Sequence, residues 1–345
     1  MASSVQKKLP SSKKKKVNRN ASPSAYGWSF QVGAGISLVL DYVRDFTHLK
    51  MEGKSDDIEL SFGEGKKLYA QAKSVIQIGD QRNAGKNLSN ALNVLSEDVN
   101  NGDAFKLIYI TNIINPLSSK ISSAYQFGLP YDFSILPKED KKKIINLVGK
   151  DFPTDKFQLQ IIHFFGEGKD KFQRIKEKID EFLRSSIQDI SYSGTLLDNW
   201  FTTFMLNASD IPEDKKVINL PKKKIIYPLI AIIIDPPIGD SEFNKVSDYD
   251  DYIEIEQEFK KTIYETTCDY EFISQVLGDF LDKRKSSSDI ANYKYEFTKN
   301  EWQNYEKDFF HIKDLEKRQA LIKILLLTII TRNNKISQIK TAVNL

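Results

Sequence analysis

The most regular hydropathy pattern in the chain lies between residues 57 and 73. Asp57-Ile58-Glu59-Leu60-Ser61-Phe62 alternates polar and apolar positions, and Leu68-Tyr69-Ala70-Gln71-Ala72-Lys73 does the same. A period of two marks strands with one buried face. Between them Gly63-Glu64-Gly65-Lys66-Lys67 reads as a hairpin connection, and His48–Glu52 as a preceding strand. Upstream, Phe30, Val32, Ile36, Val39, Leu40 and Val43 recur at helical spacing. They predict a helix over 25–46, in which Gly33 and Gly35 permit close packing. Downstream, Leu88, Ala91, Leu92 and Leu95 share one face of a helix over 83–97. Phe105–Thr111 reads as a buried strand. Phe157–Phe165 predicts a further strand, and 169–183 and 196–206 predict helices.

The pattern changes at residue 209. The segment 209–224 is polar, holds Pro212 and Pro221, and reads as a boundary. Ile225–Asp235 predicts a strand or a buried turn of helix, and 253–284 and 301–331 predict helices. The last of these carries Trp302, Tyr305, Phe309, Ile312, Leu315 and Ile322 near a period of 3.6 and turns apolar all round at 324–330. The expected organisation is a disordered basic tail over 1–23, an α/β domain over 24–208, and a mostly helical module over 209–345. That module is assigned to regulation, oligomerisation or partner binding.

Composition narrows the function. The chain has 345 residues, 40% of them apolar and 28% charged, an ordinary globular balance. Its net charge of +3 is uneven. Seven Lys and Arg residues fall in positions 1–19 without an acid, leaving 43 basic against 47 acidic residues in the body. Such a body does not coat nucleic acid by charge alone, so phosphate contacts need a local patch. The Lys222–Lys224 run is one, read either as a solvated turn or as the lining of a DNA groove. One cysteine, Cys268, and three scattered histidines argue against a disulfide framework and a structural zinc site. No apolar run approaches the length of a membrane span, and the N-terminus lacks a signal-peptide core. A cytoplasmic protein is expected.

The hairpin carries the chemistry. Side chains alternate along a strand, so Asp57, Gln71 and Lys73 share its polar face. An acid, a neutral oxygen and an ammonium form a set suited to phosphodiester hydrolysis. The oxygens can hold Mg²⁺, and the lysine can orient water or neutralise charge on phosphorus. By the same parity Glu59 lies with Asp57, and Asp56 does not. The other reading is a solvated face on an edge hairpin, with Lys73 as a cross-strand ion-pair partner. The Gly-x-Gly-Lys strings at 63–66 and 166–169 lack phosphate-loop spacing and read as turns. His163 reads as a packed core histidine, and Trp200 as core.

These residues resemble a known pattern. Asp57 followed by Gln71-Ala72-Lys73, on adjacent strands after a helix, is similar to the PD-(D/E)xK nuclease superfamily in its variant with Gln for the second acid. Gly27-Trp28-Ser29-Phe30-Gln31, Glu52-Gly53 before Asp56-Asp57-Ile58, and Gln71-Ala72-Lys73-Ser74 narrow the likeness. They resemble the double-stranded-DNA endonuclease domain of bacterial anti-phage effectors, in CD-NTase-associated endonucleases and the Lamassu nuclease subunit. Tyr109-Ile110-Thr111-Asn112 and, more loosely, Asp198-Asn199-Trp200-Phe201 fit the same scheme, so the likeness spans roughly 24–208. It implies a restriction-endonuclease-like mixed sheet flanked by helices. It implies Asp57, Gln71 and Lys73 as catalytic residues and Mg²⁺ or Mn²⁺ as cofactor. Asp57, the Gln71 oxygen and the Ala72 carbonyl would ligate the metal, with Glu52 or Glu59 adding an acid and Gln31 in support. It further implies double-stranded DNA as substrate and an anti-phage effector held inactive until partner release or oligomerisation. The short region after 208 fits a Lamassu-type subunit, with an SMC-like ATPase and a small accessory subunit as partners and a homo-oligomer as the active form. The alternatives are a sequence-specific restriction-type endonuclease and a non-catalytic DNA-binding scaffold subunit with a nuclease-like fold.

Overall fold

The first apolar run folds as α1 (Ser22–Asp41), and Phe46, inside the predicted helix, already opens strand β1 (Phe46–Met51). The computed structural model describes residues 22–52, 56–117, 125–209, 218–234, 240–247, 249, 252–267, 269–284 and 292–345. The lysines of the predicted tail and Cys268 lie outside these residues. Strands β2 (Ile58–Phe62) and β3 (Lys67–Lys73) form the hairpin that the alternation predicts. Its reversal uses left-handed backbone at Glu64 (φ 60) and Gly65 (φ 70).

The chain continues through α2 (Ala84–Val99), β4 (Ala104–Thr111), β5 (Pro130–Asp132), α3 (Lys138–Val148) and β6 (Phe157–Ile161). Next come α4 (Gln173–Ile187), α5 (Ser193–Ser209), β7 (Ile218–Pro221) and α6 (Lys222–Ile234). The helices described after α6 are α7 (Asp240–Phe243), α8 (Tyr252–Glu258), α9 (Lys260–Thr267), α10 (Tyr270–Arg284), α11 (Tyr293–Glu301), α12 (Leu315–Thr331) and α13 (Asn333–Val343).

The strands build one mixed seven-stranded sheet in the order β5-β6-β4-β3-β2-β1-β7. β1, β2 and β3 run antiparallel, and α2 is the crossover that makes β3 and β4 parallel. Strands in the parallel part are covered on both sides. Leu68, Ala70, Ala72, Ile108 and Ile110 face the core shared with α1. Tyr69, Leu107, Tyr109 and Leu159 face Leu88, Leu92 and Leu95 of α2 and Ile144 of α3. This corrects the solvated polar face expected for the hairpin, because Tyr69 and Gln71 are each only 2% exposed. It also removes the edge-hairpin reading, since β2 and β3 lie inside the sheet.

The predicted boundary at 208/209 does not separate two cores. β7 pairs antiparallel with β1, with Leu220 opposite Leu49. Of the run Ile225–Asp235, for which the pattern allows strand or helix, Ile225–Ile234 belongs to α6, which accommodates Pro228 and buries nearly every side chain, and Asp235 lies outside the described residues. Residues of α6, α10 and α12 are continuous with the core of α1 and β1–β3. The two long C-terminal helices are each broken. Asp314 caps α12, its carboxylate accepting from the N–H groups of Glu316 at 2.9 Å and Lys317 at 3.1 Å. Ahead of it Trp302–Phe309 forms a 3-10 segment. Asp269 likewise accepts from the Glu271 N–H at 2.9 Å and starts α10 afresh.

A core that runs across the 208/209 boundary predicts one cooperative unfolding transition. Urea unfolding should have coincident midpoints when followed by Trp200, beside the sheet, and by Trp302, in the C-terminal helices. Ile226→Ala in α6 should lower both midpoints together, with a cost of about 2–5 kcal/mol. Two separated transitions would show that the C-terminal helices are an independent unit.

Candidate active site

The site begins with a mismatch of strand lengths. β2 starts at Ile58, opposite Ala70, so Gln71, Ala72 and Lys73 of β3 run past it. Beyond the ladder, the Ala72 N–H donates to Asp57 Oδ2 at 2.8 Å, and Lys73 Nζ reaches the same oxygen at 2.7 Å. Both bonds are charge-assisted, and they fix the carboxylate at the end of the strand. The carbonyl of Ala72 leaves from the same strand edge as its N–H. The Asp57 and Lys73 side chains are both partly accessible, at 12% and 30%. Gln71 lies deeper. Its Nε2 donates to Asp56 Oδ1 at 3.3 Å, and Asp56 is itself buried. With Nε2 turned to Asp56, the amide oxygen is the end turned away from it.

Glu52 completes the group. It adopts left-handed backbone (φ 53), uncommon for a side chain other than glycine, and its N–H donates to the Asp57 carbonyl at 3.1 Å. Its carboxyl is raised above the usual range, first by desolvation and then by the Asp57 charge. Lys73 and a hydrogen bond with Gln31 partly offset the rise. A close approach of α1 to β1 brings Gln31 there. A Cβ on Gly35 would meet Met51 Sδ at 3.2 Å. Gln31 lies one turn before Gly35 on the same helix face, as Glu52 lies one residue after Met51.

Asn112 braces the chain just past the same end of β3. Its Oδ1 accepts from the Val75 N–H at 2.8 Å, and its Nδ2 donates to the Val75 carbonyl at 2.7 Å and the Phe164 carbonyl at 3.2 Å. Tyr26 of α1 also donates to the Phe164 carbonyl. One fully buried side chain thus ties together the chain leaving β3, β4 and β6.

The structure therefore brings Gln31, Glu52, Asp57, Gln71, Ala72 and Lys73 together. It places Glu59 elsewhere, between Lys50 at 3.2 Å and Lys67 at 3.5 Å, and supplies Asp56 in its stead. Parity fails because Asp56 and Asp57 precede the first paired residue of β2, where strict alternation no longer applies. Of the Lys222–Lys224 groove, Lys222 is corrected. Lys222 is 8% exposed, and its Nζ donates to the Arg44 carbonyl at 2.9 Å. Burial pushes its ammonium pKa down. Lys223 lies over the Tyr270 ring at 4.1 Å, and Lys224 is exposed in the first turn of α6. His163 sits half-buried between the Phe127 and Phe165 rings. In the sequence Asn112 stands only as the last residue of the Tyr109–Asn112 segment of the resemblance, and its brace comes from the structure.

Among the described residues, no three Asp, Glu, His or Cys side chains converge into a preformed metal cage. The donors present are the carboxylates of Glu52 and Asp57, the Gln71 oxygen and the Ala72 carbonyl. All are hard oxygens and few in number. Such a set suits one Mg²⁺ or Mn²⁺ that keeps several of its waters, rather than a close metal pair.

Because the folded state raises the Glu52 pKa, protonated Glu52 contributes stability at acid pH that is lost as pH rises through its folded value. A bound divalent cation opposes that loss and competes with the proton. The rise in Tm caused by Mn²⁺ should therefore grow from acid to neutral pH, and Asp57→Ala should abolish it. A shift independent of pH, or intact in Asp57→Ala, would place cation binding elsewhere. Comparison with family models, curated proteins and solved structures finds no match to this chain.

Proposed function

We propose that the protein is a metal-dependent double-stranded-DNA endonuclease. The observation that supports it most is the convergence of an ammonium, two carboxylates and two neutral oxygens at the end of one strand. A bound Mg²⁺ or Mn²⁺ would supply a Lewis acid for the phosphate and lower the pKa of water. Lys73 contributes positive charge where negative charge develops on phosphorus, and Asp57 holds that ammonium in place. A unit charge at 4 Å is worth about 4 kcal/mol at an effective dielectric of 20, or roughly a thousandfold in rate. Gln71 and Ala72 offer oxygen without charge, which limits repulsion of an incoming phosphodiester. Gln31 and the strained backbone of Glu52 position the second carboxylate.

The role in anti-phage defence rests on the resemblance of the Glu52–Asp57 and Gln71–Ser74 segments. Within that role the chain is an effector nuclease, held inactive by partners such as an SMC-like ATPase. One hairpin per chain serves one strand, so a double-strand cut calls for two copies.

Supercoiled plasmid should be nicked and linearised by the wild-type chain in Mg²⁺ and not in EDTA. Lys73→Ala and Asp57→Ala should each lower the rate by about 100-fold or more. Lamassu-type regulation predicts faster cutting at concentrations that favour oligomers. Equal cutting by all three proteins would overturn the site. Cleavage at one fixed sequence would favour the restriction-type reading.

A further inference from the structure

The chain leaving the catalytic strand carries two exposed isoleucines. Ile76 is 51% and Ile78 62% exposed, although apolar side chains of this size are usually covered. They do not sit on a slack loop. Val75 is buried with Ala84 and Ile113, and both of its backbone polar groups are held by Asn112. Ile78 stands at the corner of a tight turn in which the Asp80 N–H donates to the Gln77 carbonyl at 3.1 Å. Gly79 follows with the positive φ of 78 that such a turn requires at that position. Arg82 then grips Asp80 through Nε at 3.0 Å and Nη2 at 2.8 Å. The loop is pinned on both sides of its apolar tip.

Its position matters more than its exposure. Lys73, Gln71 and Tyr69 point to the α2 side of the sheet, and the loop runs from β3 to α2 over that same side. Ile76 follows Lys73 by no more than about 11 Å of chain. Beside the tip Arg82 is paired with Asp80, and the unbalanced positive charge comes from Lys86, exposed in the first turn of α2. α2 has no acid in that turn. The apolar tip and Lys86 thus lie on the connection that leaves the catalytic strand.

Building on the endonuclease reading, we propose that Ile76 and Ile78 form a wedge that enters the duplex beside the scissile phosphate. Isoleucines inserted between base steps unstack them and bend the helix, while flanking cations hold the backbone. In this proposal the bend brings a phosphate to the site at the strand end. The occupant is double-stranded DNA, chosen because the tip is continuous with the catalytic strand and bordered by positive charge.

The test uses the full chain carrying Lys73→Ala, so that DNA is bound and not cut, with duplexes that contain 2-aminopurine. Binding should raise the fluorescence of the unstacked base. Adding Ile76→Ser and Ile78→Ser should abolish the rise and weaken binding about tenfold or more. An unchanged melting temperature confirms that the exposed substitutions leave the fold intact. In the Lys73 background, the same affinity and the same fluorescence with and without the serines would overturn the wedge. So would unchanged DNA affinity with lost association to a second protein. If the serine pair also leaves plasmid cutting by the otherwise wild-type chain unaltered, the wedge falls and the nuclease stands. If the Lys73→Ala chain binds no duplex and the wild type cuts none, the nuclease reading itself fails and the wedge with it.

Discussion

One carboxylate oxygen organises the candidate site. Asp57 Oδ2 takes the backbone N–H of Ala72 and the ammonium of Lys73, and it does so because β2 ends before β3. Had β2 extended two residues further, the Ala72 N–H would have had a ladder partner and the carboxylate no seat. The remaining pieces follow from that gap. Gln71 is held from below by Asp56, Glu52 closes back onto the Asp57 carbonyl, and α1 lays Gln31 over Glu52 through the space that Gly35 leaves. Just past the same end of the strand, Asn112 keeps the chain leaving β3 fixed against β4 and β6.

The site also has the features of one that lowers stability for a purpose. Glu52 carries left-handed backbone and a carboxyl that burial and Asp57 both push toward the neutral form. Gln71 and Asp56 are nearly buried polar groups inside a sheet otherwise lined by Tyr69, Tyr109 and Leu107. A purely structural sheet would gain by exchanging such groups for apolar ones. Local conflict of this kind is expected where a fold serves function as well as stability.

Much of the hairpin was legible in the chain itself. Alternation from Asp57 to Phe62 and from Leu68 to Lys73 placed both strands and put Gln71 with Lys73. What lies over the second face was not legible, because Tyr69 alternates with Gln71 and Lys73 and reads as polar until α2 is seen to cover it. Glu59 was expected by parity and Asp56 excluded by it, yet pairing starts only at Ile58 and alternation cannot be carried past that point. β7 was hidden inside a polar, proline-containing segment, for an edge strand of four residues has too little pattern to register. The breaks at Asp269 and Asp314 were hidden by apolar periodicity on either side, although each is an ordinary side-chain cap. Lys222 illustrates the limit of charge runs, since one of three adjacent lysines folds inward onto a carbonyl.

On the proposed function the Asp57–Lys73 pair serves catalysis before stability. The most direct measurement sets the unfolding free energy of Asp57→Asn and Lys73→Met beside their DNA-cutting rates. For a catalytic pair, cutting is lost in both variants while each stays folded, with a stability loss of no more than about 3 kcal/mol. Cutting that survives together with a large loss of stability would make the pair a structural ion pair and overturn its catalytic role.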